Sequence, residues 1–307
     1  MAGLPSEYVA EATATLPHRS RPPRLIILPA AWAIVILWAL GAAAWSWAAG
    51  FHLVGVWHVV FIGAALLLVS AAYRKRDGRV ADMFEITALW IAICLVALLT
   101  TALTTRTAAP LTDSMFIAAD GRLGFYWPLW VGWVDNHPLI RLCMALAYAS
   151  LLPQFAGSLV YLPLTGRAER IIELAIITVV ALIPALVCVR LAPALGPFAI
   201  FGMTDRAMYL PAMLALRDGA EVFDVTYNGA ALITFPSFHA IWALALIYIH
   251  RGNGWVSLAV AALNTAVLVS VLSEGGHYLV DLLSGVVVAA IAIAVAPVVM
   301  RRSPEGY

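Results

Sequence analysis

Eight stretches of this chain are apolar for long enough to cross a lipid bilayer as helix. Crossing about 30 Å of hydrocarbon takes about 20 helical residues. The stretches lie near residues 26–49, 51–73, 84–105, 139–164, 170–191, 231–250, 255–273 and 277–299. Lipid offers no partner to a backbone N–H or C=O, so a spanning segment of this length satisfies its own hydrogen bonds as a helix. Composition agrees: 63% of the 307 residues are hydrophobic and 11% are charged, against about a quarter charged in soluble domains. The expected fold is an all-α integral membrane protein with about eight transmembrane helices, multi-pass and without internal repeats.

The loops between the stretches set organisation and orientation. Residues 1–24 are polar and end in His18-Arg19-Ser20-Arg21-Pro22-Pro23-Arg24. The apolar run that follows is too long for a cleaved signal peptide, so they read as a cytoplasmic tail. The first two stretches meet at Ala49-Gly50-Phe51 and form a hairpin over 25–80. A six-helix domain follows over 81–302, with a short cytoplasmic tail at 303–307. With the N-terminus inside, 12 of the 18 Lys and Arg fall on the inner side, as the positive-inside rule requires. Both termini are therefore expected inside. The alanine-rich, lysine-poor composition points to a GC-rich bacterium, hence to an inner membrane with a periplasmic outer face. A net charge of +1 gives no argument for nucleic acid. Cys94, Cys143 and Cys188 each sit in an apolar run without a metal-ligand spacing and read as small core residues.

Chemistry concentrates at the two ends of a hairpin over 234–285. One end reads Thr234-Phe235-Pro236-Ser237-Phe238-His239; the other reads Ser273-Glu274-Gly275-Gly276-His277-Tyr278-Leu279-Val280-Asp281. Two crossings bring both ends to the outer face. His277 and Asp281 are spaced i, i+4 and stack on one helical face. A carboxylate there fixes the imidazole tautomer and raises the nucleophilicity of the other nitrogen. Ser237 follows Pro236 where loop becomes helix, so it can cap free N–H groups that form an anion site. His239, just inside, can donate a proton to a leaving oxygen. The bland alternative is a polar pair satisfying itself beside an ordinary capping serine; ionisable residues in membrane segments are costly and more often functional.

Phe235-Pro236-Ser237-Phe238-His239 and Gly276-His277-Tyr278-Leu279-Val280-Asp281 resemble the second and third motifs of the type 2 phosphatidic acid phosphatase (PAP2) superfamily. The resemblance is closest to its branch of inositol phosphorylceramide and sphingomyelin synthases. It implies a PAP2-like six-helix catalytic domain over 81–302 and a metal-free reaction without a cofactor. By that resemblance His277 is the nucleophile that becomes a phosphohistidine, Asp281 orients it, and His239 is general acid and then base. The phosphatase branch has Ser-Arg ahead of the third-motif histidine, where this chain has Ser270-Val271. The first motif of the family also has no counterpart here. The synthase branch shares these departures, so they favour a lipid phosphotransferase, with a lipid-phosphate phosphatase using water as the alternative. Expected partners are a phospholipid or lipid-phosphate substrate, a lipid alcohol acceptor and the bilayer. Ser237 is the surer phosphate ligand; Arg190 and Arg217 are the candidate cations, each equally readable as a snorkelling surface residue, and Arg206 is a weaker one.

Other features read more plainly. Trp127, Trp130 and Trp133 recur every three residues, an interfacial anchor before a lid over the site. Glu274 needs no role, Asn264 is suited to an interhelical hydrogen bond, and Pro153, Pro163 and Pro184 suit kinks. His52 and His58 read as interfacial residues. A transporter or flippase would place polar groups near the midplane of two inverted halves, a pattern absent from this sequence.

Overall fold

A computed structural model describes residues 27–106, 109–226 and 232–301. The tails read at 1–24 and 303–307, and the basic residues counted in the first, lie outside the described residues. Helix dominates: α1 (Ile27–Ala48), α2 (Trp57–Tyr73), α3 (Gly78–Thr105), α4 (Asp113–Arg122), α5 (Trp127–Asp135), α6 (Pro138–Ala149), α7 (Leu151–Leu164), α8 (Glu169–Leu191), α9 (Pro197–Ile200), α10 (Leu210–Arg217), α11 (Phe238–Ile249), α12 (Trp255–Glu274) and α13 (Leu279–Arg301).

Six of these are long and apolar enough to cross a membrane: α1, α3, the continuous α6–α7 stretch, α8, α12 and α13. The other two apolar stretches give shorter helices, α2 with 17 residues and α11 with 12. Local structure explains both. The second stretch was expected to be helical from 51, but His52–Val54 (β1) instead pairs in parallel with Val222–Asp224 (β2), so the helix waits until Trp57. At the sixth, Ser237 accepts the N–H of Ala240 and caps α11; a turn through Gly252 at φ 74° ends it. α6 and α7 meet at Ser150, whose hydroxyl bonds back to the Ala147 carbonyl, a local competition that favours a break in the helix.

The main core is drawn from α3, α7, α8, α11, α12 and α13, with Leu28 and Val35 of α1 at its edge. α11 sits at its centre, with Ala240, Ile241, Ala243, Ala245, Leu246 and Ile249 fully enclosed. Without a hydrophobic force between helices in lipid, close packing depends on small residues. α13 supplies them: Gly285, Ala289, Ala292 and Ala296 recur along one face, and the three alanines are fully buried. A Cβ on Gly285 would lie 2.6 Å from the Ser237 carbonyl oxygen, so only glycine lets α13 reach the α11 cap.

Two side-chain hydrogen bonds tie helices together inside the bundle. Asn264 donates to Gln154 across α12 and α7 at 2.6 Å, as its sequence position suggested, and Trp242 donates to Thr178 at 3.1 Å. The cysteines are not core residues: Cys94 and Cys143 are exposed and Cys188 is half-buried. Their helices turn them outward, and a small apolar side chain is at no cost against lipid. Charged clusters close the end of the bundle opposite the hairpin's motifs. There Arg251 pairs with Glu173 at 2.7 Å, and Arg74 pairs with Asp82 and Glu85.

Candidate active site

α11 and α13 bring the two motif ends together through the backbone before any side chain acts. The Ser237 N–H donates to the Asp281 carbonyl at 3.0 Å, and the Ser284 hydroxyl donates to the same oxygen at 2.9 Å. His277 lies in the short connection between α12 and α13, where Gly276 at φ 60° makes the turn. A side chain on Gly276 would run into the Phe198 ring. Sharp turning and close approach both select glycine there.

His277 and Asp281 face each other, Nδ1 to Oδ2 at 3.4 Å, although His277 stands in the connection ahead of α13 and not on the helical face that the spacing suggested. Both are enclosed, His277 at 4% and Asp281 at 0% exposure. The Asp281 Oδ2 also accepts the Tyr278 N–H at 2.8 Å, while its Oδ1 is buried without a hydrogen-bond partner among the described residues. A ring nitrogen of His277 meets the Thr234 carbonyl, and burial pushes the imidazole down from 6.5 to about 4. Near neutral pH the ring is therefore uncharged, with one nitrogen carrying the proton and the other a lone pair. His239 lies across the hairpin, its ring centroid 6.2 Å from that of His277. Tyr148 stacks flat on His239 at 4.6 Å and its edge lies against Gly275.

The two helix N-termini in the site differ. On α13, the first N–H groups are filled: Leu279 and Val280 donate to the two carboxylate oxygens of Asp120, at 2.9 Å each. On α11, the Ser237 hydroxyl takes only Ala240, at 3.4 Å. Phe238 and His239 stand in the first helical turn, where N–H groups have no intrahelical acceptor. The start of α11 therefore presents the positive end of the helix dipole on this side of the site.

The sequence reading missed α4. Asp113, Phe116 and Asp120 recur at i, i+3 and i+7 on one face of that helix. Asp113 accepts the Tyr278 hydroxyl at 2.9 Å and the N–H groups of Leu195 and Gly196 at 3.0 and 2.9 Å. Phe116 stacks on Phe235 with centroids 4.7 Å apart. One helix face therefore holds both motif ends. Burial raises the Asp120 carboxyl, an effect its two backbone N–H donors oppose, and burial beside Asp113 raises the Tyr278 phenol. The two-turn spacing of the aspartates was the available signal, but their partners lie far along the chain.

The expected cations separate. Arg217 donates to the Ala109 carbonyl through Nη2 at 2.8 Å, while its Nη1 is buried without a hydrogen-bond partner among the described residues. It lines a small cavity of about 20 Å³ with Thr105, Thr234 and Phe235, directly behind the second motif. Arg190 is exposed on the last turn of α8 and does not line that cavity. Arg206 is committed to Asp135, at 2.9 and 3.1 Å. The tryptophan stripe is divided: Trp127 is buried, donates to the Leu272 carbonyl at 2.8 Å and stacks on Phe201, whereas Trp133 is exposed. Trp127 thus fastens α5 to α12, a packing role that neither sequence reading included.

No curated protein and no solved structure matches the chain significantly. The family profile of the PAP2 superfamily matches residues 114–295, more than half of the chain, from α4 through both motif ends into α13. A multi-pass helical bundle whose matched region contains the paired histidines and the aspartate leads to one assignment: the chain belongs to the PAP2 superfamily.

Proposed function

We propose that this protein is a metal-independent lipid phosphotransferase that works through a phosphohistidine on His277 at the outer face of the membrane. It moves a phosphate or phospho-headgroup from one lipid to the hydroxyl of another. The observation that carries the reading is the buried, uncharged His277 held by Asp281 and facing His239 across the hairpin. In the first half-reaction a ring nitrogen of His277 bonds to phosphorus and the bond from phosphorus to the leaving oxygen breaks. His239 gives that oxygen its proton. In the second half, His239 takes a proton from the acceptor hydroxyl, whose oxygen bonds to phosphorus as the phosphorus–nitrogen bond breaks. Asp281 balances the positive charge on the imidazole while phosphorus is attached.

The non-bridging oxygens are met by the N–H groups at the start of α11, by the Ser237 hydroxyl, and by Arg217 from behind Thr234. Arg190 joins them only at the outer rim. Val271 favours this cation assignment: it is fully buried in the main core, so an arginine in its place would have to displace packed side chains. Water as acceptor gives the phosphatase reading, which the same phosphoenzyme serves. Turnover of phosphatidic acid and of phospholipids by purified protein, with and without ceramide or diacylglycerol, separates the two. Phosphorylated acceptor lipid supports transfer, whereas free phosphate at equal rates with and without acceptor supports hydrolysis. No turnover of any of these lipids would contradict both.

A further inference from the structure

Three apolar grooves open on the flanks of the bundle. One runs between α1 and α8, about 240 Å³, lined by residues such as Trp38 and Ile183. A second runs between α2, α3 and α7, about 270 Å³, along Trp90 and Phe155. The third, between α3, α8 and α11, is the smallest at about 180 Å³. Size does not select among them, because any apolar groove facing lipid is filled by something. What distinguishes the third is where it leads. Its wall includes Leu232, Ile233 and Phe238, the residues that flank the Thr234–Ser237 motif. Leu232 is also shared with the small cavity lined by Arg217, whose Nη1 has no hydrogen-bond partner among the described residues.

The periodicity of two helices makes groove and cavity continuous. On α3, Cys94, Leu98 and Thr101 line the groove and Thr105 lines the cavity, at i, i+4, i+7 and i+11. On α8, Thr178 and Leu182 line the groove and Val189 the cavity, again at i, i+4 and i+11. Residues at these intervals share one helical face, so each helix presents a single track that begins apolar and ends beside a guanidinium. A buried guanidinium N–H without a partner costs free energy, and a cavity of about 20 Å³ holds about one water. That site is therefore poised for one oxygen atom, from water when empty and from a phosphate when a lipid is bound.

We infer that the α3–α8–α11 groove is the chain-binding slot of the phospholipid substrate, seating one acyl chain against Phe238 and Trp242 while a phosphate oxygen reaches Arg217. The inference rests on the reading that His277 takes the phosphate of a lipid, and it adds where that lipid lies. At about 180 Å³ the groove is little larger than the ~150 Å³ apolar cavity that takes up a single benzene. It suits one chain, and the second chain remains in the bilayer. Charge complementarity selects the occupant, since a neutral lipid leaves Arg217 without a counterion and a phosphatidic acid supplies one.

The test uses the full-length protein in nanodiscs and a phosphatidic acid carrying a diazirine on one acyl chain. Photolysis is expected to place adducts on Ala97, Thr101 and Trp242, which line this groove and neither of the other two, lost on adding excess unlabelled phosphatidic acid and weakened several-fold by Arg217→Ala. Adducts concentrated in either of the other grooves, or labelling indifferent to competitor, would overturn the slot. Running the same labelling on His277→Ala separates the two claims. Adducts in the slot with no turnover even by the wild type would leave the slot standing and remove the catalytic reading. Adducts elsewhere, with turnover abolished by His277→Ala, would do the reverse. As a second measurement, Ala97→Trp fills the groove. It should lower the ratio of kcat/KM for dioleoyl over dihexanoyl phosphatidic acid by about tenfold, the scale of losing a methylene or more of contact in an apolar pocket. An unchanged ratio would contradict the proposal.

Discussion

Protonation of His277 follows from its enclosure. A buried imidazole disfavours its charged form, which pushes it down from 6.5 to about 4. Between those values the unfolded chain binds a proton that the folded chain does not, so stability is complete above 6.5 and falls as pH drops toward 4. The shift corresponds to on the order of 3 kcal/mol across that window. His277→Asn should flatten the dependence of Tm on pH between about 4 and 6.5; an undiminished slope would mean that another group causes it. Arg217 differs in that its burial leaves one N–H without a partner. Arg217→Ala is expected to raise KM for lipid phosphates about tenfold or more, the scale of a charge-assisted hydrogen bond, with a smaller effect on kcat. A change confined to kcat would argue against a ground-state phosphate contact. Ser237, His239, His277 and Asp281 were legible in the sequence because a helical turn and a short hairpin relate them. Arg217 was legible only as a cation on the side expected to hold the site. Its neighbours Thr105 and Thr234 belong to distant segments that no spacing rule connects.

Among the elements, α4 carries consequences that no motif announces. Asp120 holds the first turn of α13, and Asp113 holds Tyr278 and the Leu195–Gly196 backbone. Asp120→Ala leaves two half-buried N–H groups without their acceptor, at up to about 1–3 kcal/mol each. It is expected to lower Tm and to lower kcat more than it raises KM, because it releases the segment that bears His277. Asp120→Asn keeps one acceptor and should recover part of the kcat. Equal kcat for Asp120→Ala and wild type would show that α4 merely packs. At the α11–α13 crossing, Gly285→Ala should cost activity through contact with the Ser237 carbonyl. These features escaped sequence reading for one reason: Asp113 and Asp120 find their acceptor role across 82 or more residues. The helical content itself was plain from hydrophobic length. The lengths of α2 and α11 were not, because a strand pair sets one start and a serine cap the other.

For the whole molecule, the bundle divides into a lipid-facing shell and a closed end where α4, α5, α9 and α10 cover the histidines. α1 and α2 expose large apolar side chains such as Leu37, Phe61 and Leu68, as lipid-facing helices do. A cysteine introduced at Asp218, at the end of α10, should react with an impermeant maleimide added from the outer side of cells. Labelling only after the membrane is opened would reverse the proposed orientation. A reaction run by histidines alone should survive prolonged chelation, and strong inhibition reversed by a divalent ion would contradict that reading. The central claim is a covalent one: phosphorus from a lipid rests on His277 between the two half-reactions. Its most direct measurement is quenching of the purified protein during turnover of a lipid labelled at phosphorus. The account predicts an acid-labile, base-stable phosphoprotein mapped to His277, present in wild type and absent from His277→Ala. Turnover with no trapped label, or label undiminished in His277→Ala, would contradict it.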